Sequence, residues 1–342
     1  MTLNKTKIPY RICQRCILPE SFPGIRFDDL GICSYCLKEE ATVAKAPEKK
    51  AEYRRKLDQL IKDIKGMAPV YDAIMAYSGG KDSTYTLKLL RARYNLRIVA
   101  FTFDNHFASL AAWENIKTVT NALQIDHIHF RLPWSVAQRI FSLTAREDIF
   151  SKPTLLRASS ICTACIGLVK SLVLKNALEM SIPLVAFGWS PGQAPIQSAI
   201  MKTNPALIRQ TQSALKKAFP AEICSSLDSY FLPEEYYKKY KGGFPQNIHP
   251  LAFFDYDEEQ IRKELTDMGW QAPTDTDTNS SNCLLNAFAN QRHIERNGFH
   301  PYVWEIANMV RQGVMDRDEG IEKIYSEQNQ KMVEYAKERL DL

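Results

Sequence analysis

Two adjacent glycines, set between an apolar run and a helix-like stretch, leave residues 71–93 few ways to fold. The run Tyr71 to Tyr77 reads as a strand, Ser78-Gly79-Gly80-Lys81-Asp82-Ser83 as a tight turn, and Thr84 to Arg93 as the helix that follows. A strand that turns through glycines into a helix leaves backbone N–H groups unpaired and aimed at one point, with the positive end of the helix dipole behind them. Such a turn binds anions. The glycines permit close approach of a ligand, Ser78 and Ser83 add hydroxyl donors, and Lys81 adds a mobile cation. Phosphate is the expected guest, although the spacing is not that of the Walker loop.

Around this turn the pattern alternates strands with helices. Strands are predicted over 71–77, 97–103, 127–132 and 183–188, with a fifth candidate over 247–253. Helical stretches between them imply right-handed βαβ units, so the expected fold is α/β with a doubly wound parallel sheet and ligands at its carboxyl edge. Two further features fall at that edge: Asp104-Asn105-His106 after the second strand, and Gly188-Trp189-Ser190-Pro191-Gly192-Gln193 after the fourth. Asp104 is a candidate for magnesium or ribose binding, or a helix cap. His106 is either a proton shuttle or a structural histidine.

The eight cysteines carry the second signal. Cys13-x-x-Cys16 and Cys33-x-x-Cys36 form two knuckles, a spacing that brings four sulfurs to one tetrahedral ion and predicts a structural zinc in a segment too short to build its own core. A third pair, Cys162-x-x-Cys165, opens a helix, and Cys283 follows much later in Asn279-Ser280-Ser281-Asn282-Cys283. Three thiols from two distant segments suit an iron–sulfur cluster that leaves one iron free; a second zinc, a redox pair or plain buried thiols are the alternatives. Cys224 stands alone and reads as buried.

Residues 1–66 hold 14 Lys+Arg against 9 Asp+Glu, so the whole net charge of +5 lies there and the rest of the chain is neutral. A nucleic-acid substrate is therefore disfavoured for the catalytic part. No apolar run in the pattern approaches a membrane span, and Met1 to Lys7 is polar, which predicts a cytoplasmic protein without membrane insertion. Leu57, Leu60, Ile61 and Ile64 mark an amphipathic linker helix over 44–65. The aromatics Tyr230, Phe231, Tyr236, Tyr237 and Tyr240 lie among lysines and either stack on bases or sugars or cover a core. From Pro301 the chain reads as helical.

The six residues Ser78 to Ser83 resemble the signature of the PP-loop ATP pyrophosphatases. That likeness implies a HUP-like domain that splits ATP between its α and β phosphates, with Ser78, Gly79, Gly80, Ser83, Thr84 and Gly188 around the nucleotide and Lys81, Asp82 and Asp104 in catalytic roles, Asp82 with a magnesium ion (Mg2+). The pair Cys162 and Cys165 with the later Cys283 is similar to the arrangement in the superfamily's cluster-dependent tRNA thiolases, implying a 4Fe-4S cluster.

A second resemblance spans nearly the whole chain. Cys13-Gln14-Arg15-Cys16-Ile17-Leu18-Pro19-Glu20, then Phe22-Pro23-Gly24-Ile25-Arg26-Phe27-Asp28, Gly31-x-Cys33-x-x-Cys36, the turn at 78–83 and Phe103-Asp104-Asn105-His106-Phe107 look like the N-acetyl sugar amidotransferases of bacterial surface-polysaccharide and O-antigen (lipopolysaccharide) biosynthesis; Val310-Arg311-Gln312-Gly313 and Arg317-Asp318-Glu319 extend the likeness. It implies conversion of an N-acetyl group on a nucleotide sugar to an acetamidino group, using ATP, Mg2+, Zn2+ and ammonia from a separate glutaminase subunit. The implied division is a zinc-ribbon-like four-cysteine module over 1–43, a linker helix over 44–66, the PP-loop domain over 67–255 and a helical subdomain over 256–342. The competing reading is a PP-loop sulfurtransferase acting on tRNA or a small molecule. The sugar, its carrier and any homo-oligomer are left open.

Overall fold

The computed structural model describes residues 10–277, 280 and 282–342. Asn279 and Ser281, part of the motif that leads to Cys283, and Met1 to Lys7 lie outside them. Two helices, α1 (Ser34–Ala44) and α2 (Ala46–Ile64), precede the sheet. The helix expected over 44–65 is α2, one unbroken helix with Pro47 in its first turn, a position where its missing N–H costs nothing; α1 precedes it within the four-cysteine segment. Tyr53, Leu57 and Ile61 are the buried stripe of α2.

The chain then alternates β1 (Ala73–Ala76), α3 (Lys81–Tyr94), β2 (Ile98–Asp104), α4 (Leu110–Leu123), β3 (Asp126–Arg131), α5 (Trp134–Arg146), the single turn α6 (Lys152–Leu155), α7 (Ser160–Glu179) and β4 (Leu184–Phe187). A short β5 (Ile200–Lys202), the helices α8 (Pro205–Ala218), α9 (Ala221–Leu227) and α10 (Glu234–Lys239), and β6 (Gln246–Ile248) follow. Helices α11 (Glu258–Thr266), α12 (Asn286–Asn297), α13 (Val303–Arg311), α14 (Arg317–Tyr325) and α15 (Gln330–Leu340) complete a helical C-terminal part.

The sheet order is β3-β2-β1-β4-β6-β5, parallel throughout except for β5, which pairs antiparallel with β6 at the edge. This is the doubly wound α/β sheet with a four-cysteine segment before it and helices after it. Alternate residues of each strand face opposite layers: Ala73, Met75, Ala100 and Ala186 pack with Leu87, Leu90, Ile116 and Val119 of α3 and α4, while Ile74, Val99, Phe101 and Val185 pack with Leu172, Val173 and Ala177 of α7. Strand order reverses between β1 and β4, so the turn after β1 lies at the switch point where such sheets bind ligands.

Two expectations are corrected. Helix α7 has 20 residues and a mean hydropathy of 1.6, long and apolar enough by composition to cross a membrane. Half of that stretch is buried inside this fold, where it packs on β1, β4 and α5. The fifth strand is shorter than the apolar run 247–253, because Pro250 opens a 3-10 turn that ends it. The aromatics near 230–244 cover a core: Phe231, Tyr237 and Phe244 are buried, with Tyr237 stacked on Phe244.

Candidate functional site

The anion turn is built as its sequence requires. Gly79 has φ +73, and a Cβ there would lie 2.4 Å from the carbonyl oxygen of Ala112; L residues resist that conformation and have no room in it. Gly80 is the N-cap of α3. The Ser78 and Ser83 hydroxyls lie 3.0 Å apart, and Ser83 Oγ donates to the Gly80 carbonyl at 3.0 Å. Thr84, expected at the nucleotide, is fully buried, its hydroxyl 2.8 Å from the Gly80 carbonyl and 3.2 Å from Tyr77 Oη, so it braces the turn. Gly188 acts through its bareness: a Cβ would meet Ser83 Cα at 2.4 Å, and the loop after β4 closes onto the start of α3 because none is present.

A cavity of about 500 Å³ opens beside this turn, lined by Lys81, Asp82, Ser190, Tyr256, Glu258, Trp270, Ser280 and Glu305 among others. Lys81 is tethered, with Nζ 2.7 Å from Glu258 and 2.8 Å from Tyr256 Oη, and Tyr256 Oη donates to Asp82 at 2.7 Å. Burial pushes the Glu258 carboxyl up, but the charge and hydrogen bond of Lys81, with Lys323 and Arg262, outweigh it and bring it down to about 2. Glu305 shows the opposite balance. Burial raises its carboxyl to about 7, the Asp82 charge adds to the rise, and the 2.5 Å hydrogen bond from Ser190 opposes it.

Asp104, expected in a catalytic or magnesium-binding role, is not among the residues that line this cavity. Its carboxylate is buried, accepts the His106 N–H at 2.7 Å and pairs with Arg131 at 3.1 Å. His106 is likewise held in place, with Nε2 2.7 Å from the Leu132 carbonyl oxygen and Nδ1 beside Arg131.

The three later cysteines do come together. Asn105 Nδ2, just past the end of β2, lies 3.5 Å from Cys283 Sγ and 3.8 Å from Cys165 Sγ. Cys162 sits in the first turn of α7, where its N–H is capped by Ser159, and Tyr302 Oη reaches its sulfur. A bridge between Ala108 and Cys283 fixes the second segment against the first. Burial pushes all three thiols up, Cys162 to about 11, so they need a metal's charge to ionise. This site and the cavity share walls: Ser280 lines the cavity and accepts the Cys283 N–H at 3.0 Å, and the start of α13 sets Tyr302 at Cys162 and Glu305 in the cavity.

Cys13, Cys16, Cys33 and Cys36 form a tighter group, with all four sulfurs within 4.8 Å of one another and the residues shielded from solvent. That set fits a single tetrahedral ion. Among the described residues it is the close group of this kind.

Tyr256, Glu258, Trp270 and Glu305 also belong to the site, and the sequence pattern does not single them out. The acidic run Asp255 to Glu259 carries a signal for the first two, but reads equally as a helix start. Trp270 is buried and donates Nε1–H to the Gly79 carbonyl at 2.9 Å, pinning the turn from 191 residues away; nothing local marks it.

No family model matches the chain. It is 23% identical over 294 residues to an uncharacterised protein, MJ1599, of Methanocaldococcus jannaschii, covering 86% of this chain and 85% of that one. Among solved structures it is similar to the U34-tRNA thiolase NcsA from Methanococcus maripaludis with its 4Fe-4S cluster, at TM-score 0.35 and 16% identity over 90% of this chain and 86% of that one. It is also similar to NMN synthetase from Francisella tularensis, at TM-score 0.36 and 12% identity over 78% of this chain and 95% of that one.

Proposed function

We propose that this chain is an AMP-forming enzyme that adenylates a carbonyl oxygen of a small-molecule acceptor and replaces that oxygen with sulfur. The observation that carries the reading is the approach of Cys165 and Cys283 to one side chain, Asn105, with Cys162 one helical turn before Cys165 and close enough to Cys283 for their charges to interact, beside the cavity that opens from the turn. The acceptor oxygen attacks the α-phosphate of ATP and pyrophosphate leaves. The nucleophile then adds to the activated carbon, loses its proton, and AMP departs with the original oxygen. The turn N–H groups with Ser78 and Ser83 hold phosphate, Lys81 exchanges Glu258 for the departing pyrophosphate, and Asp82 takes the magnesium of MgATP. Glu305, ionised just above neutrality, accepts the proton from the nucleophile. Cys162, Cys165 and Cys283 would hold a cluster, which would supply an open iron position for the sulfur donor.

The cavity wall argues for a small acceptor. It carries six carboxylates against three cations, Lys81, Arg262 and Lys323, a surface that repels a phosphate backbone.

The same wall favours a second reading. An acidic cavity attracts ammonium, and the N-terminal knuckle motif resembles the N-acetyl sugar amidotransferases, so nitrogen transfer to a nucleotide sugar, with a glutaminase partner supplying ammonia, is the alternative outcome. Anaerobic purification with iron and sulfide analysis, followed by incubation with MgATP, acceptor panels and either sulfide or ammonium, separates the two. Acceptor-dependent AMP with a product heavier by the exchange of oxygen for sulfur supports the main reading. A colourless protein giving a product lighter by the exchange of oxygen for NH replaces it with the second, and AMP release that needs no acceptor removes both.

A further inference from the structure

Arg311, the last residue of α13, has a side chain only 2% exposed and lies against the ring of Trp304. Part of the guanidinium is satisfied, since Nε donates to Glu39 at 2.8 Å and Nη2 donates to Asn308. Nη1 is buried and meets no partner of normal hydrogen-bond geometry among the described residues. Glu39 stands one turn beyond Cys36 on α1, so this ion pair brings the guanidinium to the end of α1 that carries two of the four sulfurs.

A guanidinium N–H left unpaired in a buried place is costly, and a neutral thiol is a weak acceptor. Thiolate is a strong one. Four thiolates on a divalent ion keep a double negative charge, and the backbone N–H groups of Cys16, Leu18, Cys33 and Cys36 already point at these sulfurs from 3.2 to 3.4 Å. Arg317, the first residue of α14, adds a second guanidinium that donates to the carbonyls of Cys16 at 3.0 Å and Cys13 at 2.9 Å.

We propose that Arg311 is the counter-ion of a metal-loaded tetrathiolate, and that through it the metal holds α13, the helix that presents Glu305 and Met309 to the cavity. The coupling is independent of which nucleophile the enzyme uses. It makes the knuckle part of the cavity wall's support rather than a separate appendage.

The test uses the full chain loaded with zinc. Arg311→Met should speed zinc transfer to a chromogenic chelator by about tenfold or more, the scale on which outer-shell partners act, and should raise the pH of half-release, because protons then compete better for the sulfurs. Arg311→Lys, which keeps a cation without the planar fork, should fall between. Glu39→Gln, which touches the guanidinium at Nε alone, should release zinc at the wild-type rate. A merely packing role would leave the pH of half-release in place, and an unchanged rate and pH for folded Arg311→Met would overturn the proposal. Should that variant not fold, the cobalt-loaded Arg311→Lys protein decides, since its thiolate-to-cobalt absorption must shift if the charge acts on the sulfurs. In the wild type, chelation should raise amide exchange across residues 303–311; unchanged exchange would remove the link to α13.

Discussion

At position 79 the backbone takes φ +73 with the Ala112 carbonyl 2.4 Å from where a Cβ would stand. Gly79→Ala therefore meets both the cost of left-handed backbone, roughly 1–2 kcal/mol, and a clash with a helix that cannot yield. The variant should melt lower than wild type by more than that cost and should lose ATP binding by calorimetry; wild-type binding would show the turn to be less rigid than its geometry. Glu305 gives a pH-dependent counterpart. Its folded carboxyl titrates near 7, above its unfolded value, so the folded state holds the proton more tightly and stability falls as pH rises from the ordinary carboxylate range through 7. Glu305→Gln should remove that loss, melting closer to its own acid-side value at pH 8 than the wild type does. Acceptor-dependent turnover should rise with pH around 7 in the wild type, and the variant should lose both rate and that limb. A variant that keeps the limb would take the proton from Glu305 and give it to another group.

Among the elements, the sheet is legible in the sequence because its strands are buried on both faces and stand out as apolar runs bounded by turn residues. The turn after β1 is legible for the same reason that it is rigid: only glycine fits there. What binds to that turn is less so. Trp270 and Asn115 both reach the Gly79 carbonyl, at 2.9 and 3.5 Å, from segments whose local pattern says only "aromatic" and "helix". Strand β5 is three residues at an edge, too short to carry a period. Thr84, in the first turn of α3, and Asp104, at the end of β2, already have partners, the Gly80 carbonyl and Arg131, which no local pattern foretells. The three cysteines illustrate the reverse. Spacing alone leaves them undecided; the fold brings Cys165 and Cys283 within reach of the one amide of Asn105. Cys283→Ala should therefore cut iron loading under anaerobic reconstitution while the far-ultraviolet circular dichroism stays that of the wild type; undiminished iron would exclude Cys283 as a ligand.

On the scale of the whole molecule, the cysteine spacing suggests a module that ends near residue 43, yet the contacts tie it to the other end of the chain. Phe22 stacks on Trp304 with centroids 5.5 Å apart and meets Phe299 edge-on at 5.1 Å. Tyr325 donates to the Ile17 carbonyl at 2.6 Å and Ser21 to that of Gly298 at 2.7 Å. Ile17, Leu18 and Phe22 belong to one apolar cluster with Ile306, Met309 and the β1 residues Ala73 and Met75, so no boundary of solvent separates the knuckle from the sheet. Each fully buried large side chain is worth about 1.5–3 kcal/mol, and removing several acts against a total stability of only about 5–15 kcal/mol. Deleting residues 1–43 should therefore not release a folded remainder. The truncated chain should melt without a cooperative transition or elute as aggregate, and metal chelation of the intact chain should lower its single melting transition rather than split it in two. A truncated chain that melted cooperatively at the full-length temperature would show that the knuckle rests on the surface of an already complete domain.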